Sequence, residues 1–155
     1  MKTGWKVAVA IVVVVVIVAV IAAAGSGDDS PEVRYNYELE VADSFTSSSG
    51  YVVTPSEGNQ YAIVTWTVAN DSYGDGFHTN DLFFQAKVVA GGVAYSTTVD
   101  MYTHPGYLLG DILEGEKATF VYVYEIPAGI PAENLDVQVK YVDFDPPSME
   151  RDTSL

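Results

Sequence analysis

The 155-residue sequence has no cysteine and only two histidines, His78 and His104. Without thiols the chain carries no disulfide framework, no thiolate metal site, no cysteine nucleophile and no lipid thioether. Two histidines leave little for nucleophilic catalysis, which wants a base positioned on Ser, Cys or Thr. No Gly-x-Ser-x-Gly elbow is present either. Zinc requires three or four ligands at matching spacings, whereas His78 with Asp81, or His104 with Asp100, makes only a pair. Positive charge is scarce: seven Lys and Arg stand against 21 Asp and Glu. All the acids lie at or beyond Asp28, with only Arg34, Lys87, Lys117, Lys140 and Arg151 as basic residues there. That surface is repelled by nucleic acid and by anionic headgroups. No Gly-rich phosphate loop and no basic-aromatic patch occurs. These absences point away from an enzyme and from a nucleic-acid partner.

What is present begins with one unbroken apolar run, Val7 to Ala24, preceded by Lys2 and Lys6 and followed by Asp28 and Asp29. About twenty apolar residues in a helix span the hydrocarbon core of a bilayer, with every backbone hydrogen bond made internally. Positive charge stays on the cytoplasmic side. The expected organisation is therefore a cytoplasmic N-terminus over residues 1–6, a transmembrane signal anchor over 7–24, and a linker over 25–32. A single domain over 33–145 lies outside, and 146–155 is a flexible tail. The lipid bilayer is the partner of Val7–Ala24, and the location is the cell membrane, single-pass. Two other readings stay open. Ala22-Ala23-Ala24-Gly25 offers an A-x-A cleavage pattern, but the run exceeds an ordinary signal core and Trp5 sits where an interfacial aromatic would. A pilin-like filament subunit, processed near Gly4, would leave Lys6 inside a buried helix.

Past the linker the pattern changes to strict alternation, the period of a strand with one buried face. Tyr35, Tyr37, Leu39 and Val41 alternate with Asn36, Glu38 and Glu40. Tyr61 to Ala69 is the strongest strand, with Trp66 as a central core residue, and β-branched and aromatic residues dominate it. Leu82 to Ala90 follows, with Leu82, Phe84, Ala86 and Val88 inward. Gly91-Gly92 signals a tight hairpin returning through Val93 to Val99. Ala118 to Ile126 and Leu135 to Tyr141 complete the set. Strands separated by turns, without a soluble helix, predict an all-β fold: an antiparallel sandwich of about seven strands.

From Tyr61 onward the succession of features is specific. A strand ending Val-Ala-Asn-Asp is followed by a polar loop and Leu-Phe-Phe, a Gly-Gly hairpin and the turn Leu113-Glu114-Gly115-Glu116. An aromatic strand then leads into Tyr-Glu-Ile-Pro-Ala-Gly at 124–129. This resembles the immunoglobulin-like extracellular domains related to a secreted mycobacterial immunoprotective antigen. The turn departs from that family's usual Leu-x-Pro-Gly-Glu by lacking the proline and one residue. The resemblance covers roughly Val33 to Val142. It implies an immunoglobulin-like, envelope-exposed module and brings no catalytic residues with it.

Three further expectations concern sites. The loop Asn70-Asp71-Ser72-Tyr73-Gly74-Asp75-Gly76, with Asp81 close behind, holds oxygen ligands of the kind calcium takes. Asp71, Asp75 and Asp81 are therefore the candidate calcium ligands, although Tyr73 and Leu82 break the EF-hand pattern. The bland reading is a solvated turn built of Asn, Asp and Gly. Asn70-Asp71-Ser72 is an N-glycosylation sequon, which makes Asn70 a candidate acceptor. The aromatic segment Tyr102 to Leu109 is a candidate contact surface for an envelope protein or glycan. The functional expectation is a non-catalytic binding or structural module of the cell envelope. A pilin-like filament subunit and a calcium-dependent adhesin or sensor are the alternatives.

Overall fold

The computed structural model describes residues 30–155, and the anchor expected at 7–24 lies outside that range. Among the described residues no helix is long and apolar enough to cross a membrane. The described chain is all-β. Its strands are β1 (Val33–Ala42), β2 (Phe45–Thr46), β3 (Val52–Val53), β4 (Asn59–Asn70), β5 (Phe77–His78), β6 (Lys87–Ala90), β7 (Val93–Tyr95), β8 (Asp111–Ile112), β9 (Lys117–Pro127), β10 (Leu135–Gln138) and β11 (Met149–Arg151). Two short 3-10 helices, Val99–Thr103 and Ala132–Asn134, are the helical pieces within this range.

A four-stranded sheet in the order β11-β1-β4-β9 is the centre of the molecule. β4 pairs antiparallel with β1 on one side and with β9 on the other, over most of its length. The register lines up Leu39, Val64 and Tyr122 across one face, and Tyr37, Trp66 and Phe120 beside them. That face is a continuous aromatic and β-branched surface, the kind a pleated sheet buries best. A three-stranded sheet, β10-β6-β7, shares its core. Phe84, just before β6, packs on the central sheet: its ring meets Trp66 edge-on at 4.8 Å and Phe120 at 5.9 Å. The hydroxyls of Tyr122 and Tyr124 donate across the core, to Thr79 O at 2.5 Å and Ala86 O at 2.8 Å. Buried phenols are thus satisfied by backbone of the opposing layer, as a buried polar tip requires. Burial pushes both phenols well above the ordinary tyrosine range. The Trp66 indole N–H, in contrast, has no hydrogen-bond partner among the described residues.

The long strands lie where the alternation places them, and Trp66 is fully buried. Gly91 and Gly92, with φ of 57° and 81°, make the expected hairpin between β6 and β7. Three expectations need correction. The strand expected from Leu82 shortens to Lys87–Ala90, and Leu82 is exposed. The Asn80 side chain accepts from the Leu82 N–H at 3.1 Å, and Asn80 O accepts from the Phe84 N–H at 2.9 Å, which winds this stretch into a turn. Val99 enters a 3-10 helix instead of extending β7. Residues 149–151, expected within a flexible tail, add a strand parallel to β1, with Val33 opposite Met149 and Tyr35 opposite Arg151. The domain therefore runs past 145, and the sheet is mixed rather than purely antiparallel.

The two long edges of the central sheet differ. Along β9, the segment Thr97 to Gly106 is hydrogen-bonded to the edge: Thr98 N–H donates to Val123 O at 2.8 Å and Val121 N–H to Gly106 O at 2.9 Å. Along β1, β11 covers only Val33 to Tyr35.

Candidate binding surface

In the Asn70 to Asp81 stretch, the candidate calcium ligands Asp71, Asp75 and Asp81 have different partners. Asp71 lies against Arg34, whose Nε and Nη2 donate to its two carboxylate oxygens at 2.6 and 3.0 Å. The third guanidinium nitrogen, Nη1, donates to Asp152 at 2.7 Å. Such fork geometry suits arginine. Arg34 holds the Asp71 carboxyl below its ordinary value. The Asp152 carboxyl falls to about 2, mainly through the Ser154 hydroxyl and amide, with Arg34 adding to the shift. Asp81 serves a different element: it accepts from the Thr97 hydroxyl at 2.9 Å and, at a long 3.4 Å, from Tyr102. Asp75 lines a polar cleft of about 210 Å³ with Glu32, Tyr73 and Asp145. The three candidate ligands thus have separate local environments. Among the described residues no group of three or more acidic or histidine side chains is placed to hold a metal ion.

Asn70, the candidate glycan acceptor, lies inside the fold, fully buried. Its amide donates to Tyr73 O at 3.0 Å and Ile112 O at 2.8 Å, and its carbonyl accepts the Tyr73 N–H at 2.9 Å. A sugar on this nitrogen would displace one of those bonds and would have to occupy packed core. The side chain instead closes the turn after β4 and pins it to β8. The neighbouring Tyr73 hydroxyl donates to Asp143 at 2.8 Å, lowering that carboxyl, while burial and the same acid raise the phenol.

The histidines pair with neither Asp81 nor Asp100. His78 Nδ1 lies 2.7 Å from Asp111 Oδ1, and its ring packs on Phe83 at 4.3 Å. His104 packs on Phe45 at 4.9 Å, and its Nδ1 accepts the Gly106 N–H at 3.1 Å. Burial depresses the pKa of His104, consistent with a neutral ring whose Nδ1 must keep a lone pair free. No serine is hydrogen-bonded to either ring among the described residues.

The aromatic segment expected as a contact surface is anchored on one side and open on the other. Met101 is fully buried, and the Tyr61 hydroxyl donates to Asp100 at 2.6 Å. Gly106 lies so close to β9 that a Cβ there would stand 2.3 Å from Val121 Cγ2. Outward, Tyr102 is half exposed, and its ring meets Tyr107 edge-on at 5.0 Å. Val99 and Leu109 are both exposed, as is Leu82 beside Asp81. Partial burial and the nearby Asp81 charge raise both phenols, so they remain neutral donors at physiological pH. Tyrosine rims with a buried body and a free tip are common at recognition surfaces. The Asp81 link from residues 79–82 to this segment was missed in the sequence, since nothing in local spacing pairs Asp81 with Thr97.

No protein-family model and no curated protein matches the sequence. Among solved structures, the fold is similar to the crystal structure of a conserved hypothetical protein from Bacillus anthracis. The TM-score is 0.51 at 16% identity, covering 72% of this chain and 84% of the other. At that identity the likeness concerns the fold alone.

Proposed function

We propose that this chain is a membrane-anchored, outward-facing module with an immunoglobulin-like sandwich, acting by binding at the cell envelope and not by catalysis. The observation that carries it is the eighteen-residue apolar run Val7–Ala24, basic before and acidic after, in front of an acidic all-β unit. A helix of that length and flank asymmetry holds the β unit on the outer side. The two sheets around a shared core centred on Trp66 support a sandwich, and the resemblance to extracellular immunoglobulin-like domains points the same way. The exposed Tyr102 and Leu109 surface provides a contact face for an envelope protein or glycan.

The absence of cysteine makes the topology directly testable. Glu57→Cys places one thiol at an exposed turn, and Thr3→Cys places one before the apolar run. In intact cells a membrane-impermeant maleimide should label the first variant and reach the second only after permeabilisation. The protein should sit in the membrane fraction, with Met1 still present by mass spectrometry. Processing near Gly4 would indicate a filament subunit, and a start after Ala24 a released domain. Labelling of Glu57→Cys only after permeabilisation would sink the outward-facing reading.

A further inference from the structure

We propose that the open edge of β1, from Tyr37 to Val41, is a docking site for an extended peptide segment that alternates basic and apolar side chains. The inference deepens the reading of a binding module and rests on it, naming the place and the chemistry of the partner. Val33 donates its N–H to Ser148 O, and Tyr35 O accepts from Asp152 N–H, so odd-numbered residues of β1 turn their backbone groups away from β4. Strand alternation carries this on to Tyr37, Leu39 and Val41. Among the described residues no backbone hydrogen bond reaches the outward N–H and C=O of these three. The 3-10 helix Ala132–Asn134 passes near β1 but makes no backbone bond to it. An edge of this kind is a template for strand addition.

Side chains on the two faces of the edge set the partner's chemistry. Tyr37, Leu39 and Val41 lie on the core side, only partly buried, in register with Trp66, Val64 and Ala62. Glu38 and Glu40 are exposed on the other face. An incoming strand therefore meets apolar surface on one face and two carboxylates on the other. The molecule already holds a short version of this docking. β11 adds in parallel beside Val33–Tyr35, and its Arg151 stacks its guanidinium 4.1 Å over the Tyr37 ring while donating to the Tyr37 hydroxyl. On the outer face of this filled stretch the register sets Glu150 opposite Arg34, so the edge pairs opposite charges there, and along Glu38 and Glu40 the complement is basic. A second copy of the chain fits less well: antiparallel β1–β1 pairing about Leu39 would set Glu38 opposite Glu40 twice, and like charges directly opposed are destabilising.

The test uses the full-length protein in detergent and a synthetic peptide, Lys-Val-Lys-Val-Lys-Val-Lys, followed by fluorescence anisotropy and by amide exchange of β1. Binding should weaken as salt rises and should slow exchange at Tyr37, Leu39 and Val41. The exposed double variant Glu38→Lys with Glu40→Lys should keep the wild-type melting midpoint and lose about tenfold or more in affinity. A peptide N-methylated at alternate residues, which cannot complete the ladder from that edge, should not bind. Equal binding of the methylated peptide would reduce the contact to charge alone and overturn the proposal. Failure of the lysine peptide to bind would do the same, as would slowed exchange at β1 caused by concentration-dependent dimerisation. None of these outcomes alters the maleimide topology result, so the two readings can fail separately.

Discussion

The two long edges of the central sheet are built from equally good strands and end in opposite ways. Beyond β9, Thr97 to Gly106 is sewn to the edge by backbone bonds, plugged by Met101 and tied by Asp100 to the Tyr61 hydroxyl. Beyond β1, cover is limited to three residues of β11, tied by Arg34 to Asp152 and by Arg151 to Tyr37. One edge is closed by burial of apolar bulk and the other by a partly exposed ion pair, which contributes little to stability in water, and a stacked arginine. Natural sheets guard open edges with charge, and Glu38 and Glu40 do this along β1. The same acids that prevent edge-to-edge aggregation also select which strand can add.

The largest way to disturb this contrast is to open the closed edge. Gly106→Ala drives a Cβ into Val121, whose Cγ2 and Cβ lie 2.3 and 3.0 Å away, so a rotamer change at Val121 cannot relieve both contacts. Overpacking of this kind costs about 1–3 kcal/mol. The chemical-denaturation midpoint should fall accordingly, with exchange at the Val121 and Thr98 amides accelerating first. Unchanged stability would mean that the loop stands off β9 in solution.

Why one edge was legible in the sequence and the other was not follows from what each uses. β1, β4 and β9 announce themselves through alternation, because their side chains divide between a buried and an open face; Tyr61–Ala69 and Ala118–Ile126 were foreseen to within two residues. β11 offers no such pattern. Met149, Glu150 and Arg151 add through backbone bonds, and the ion pair that fixes them joins Arg34 to Asp152 across most of the domain. Asp71 shows the same limit: an acid in a Gly-rich turn has the composition of a cation loop, and its pairing with Arg34 is visible only in the fold. Asn70 reads as a surface sequon, yet its side chain bonds to Tyr73 and to Ile112 of β8, a strand too brief to show a period. Local pattern reports burial; it is silent about partners far along the chain.

A smaller effect sharpens the other side. Arg34→Gln removes both charged contacts that hold Asp71 and Asp152 together. The global midpoint should move little, because the pairs are partly exposed. Exchange at the Val33 and Asp152 amides, which join β1 to β11, should quicken while Val121 stays protected. Equal loosening at both edges would show that they unfold as one unit, and the contrast would fail.

The subtlest separation is by pH, since the two edges depend on groups that titrate in different ranges. His104 on the closed side has its pKa depressed by burial from the ordinary 6.5. A histidine held neutral contributes stability that is complete above its unfolded value and is lost as pH falls through about 6.5 toward the lower folded value. On the β1 side, Asp71 and Asp152 are depressed from 3.8, the latter to about 2. Their contribution is complete above 3.8 and fades only as pH falls from there toward 2. Next to His104, the Ser48 N–H donates to Thr103 O at 2.9 Å; acidification should therefore loosen this bond and the His104–Gly106 contact first and β11 later, a sequence that amide exchange measured across pH can read. In His104→Gln the first step should vanish and the second remain. Loss of β11 protection ahead of the Gly106 amide would mean that burial of His104 contributes nothing to closing that edge.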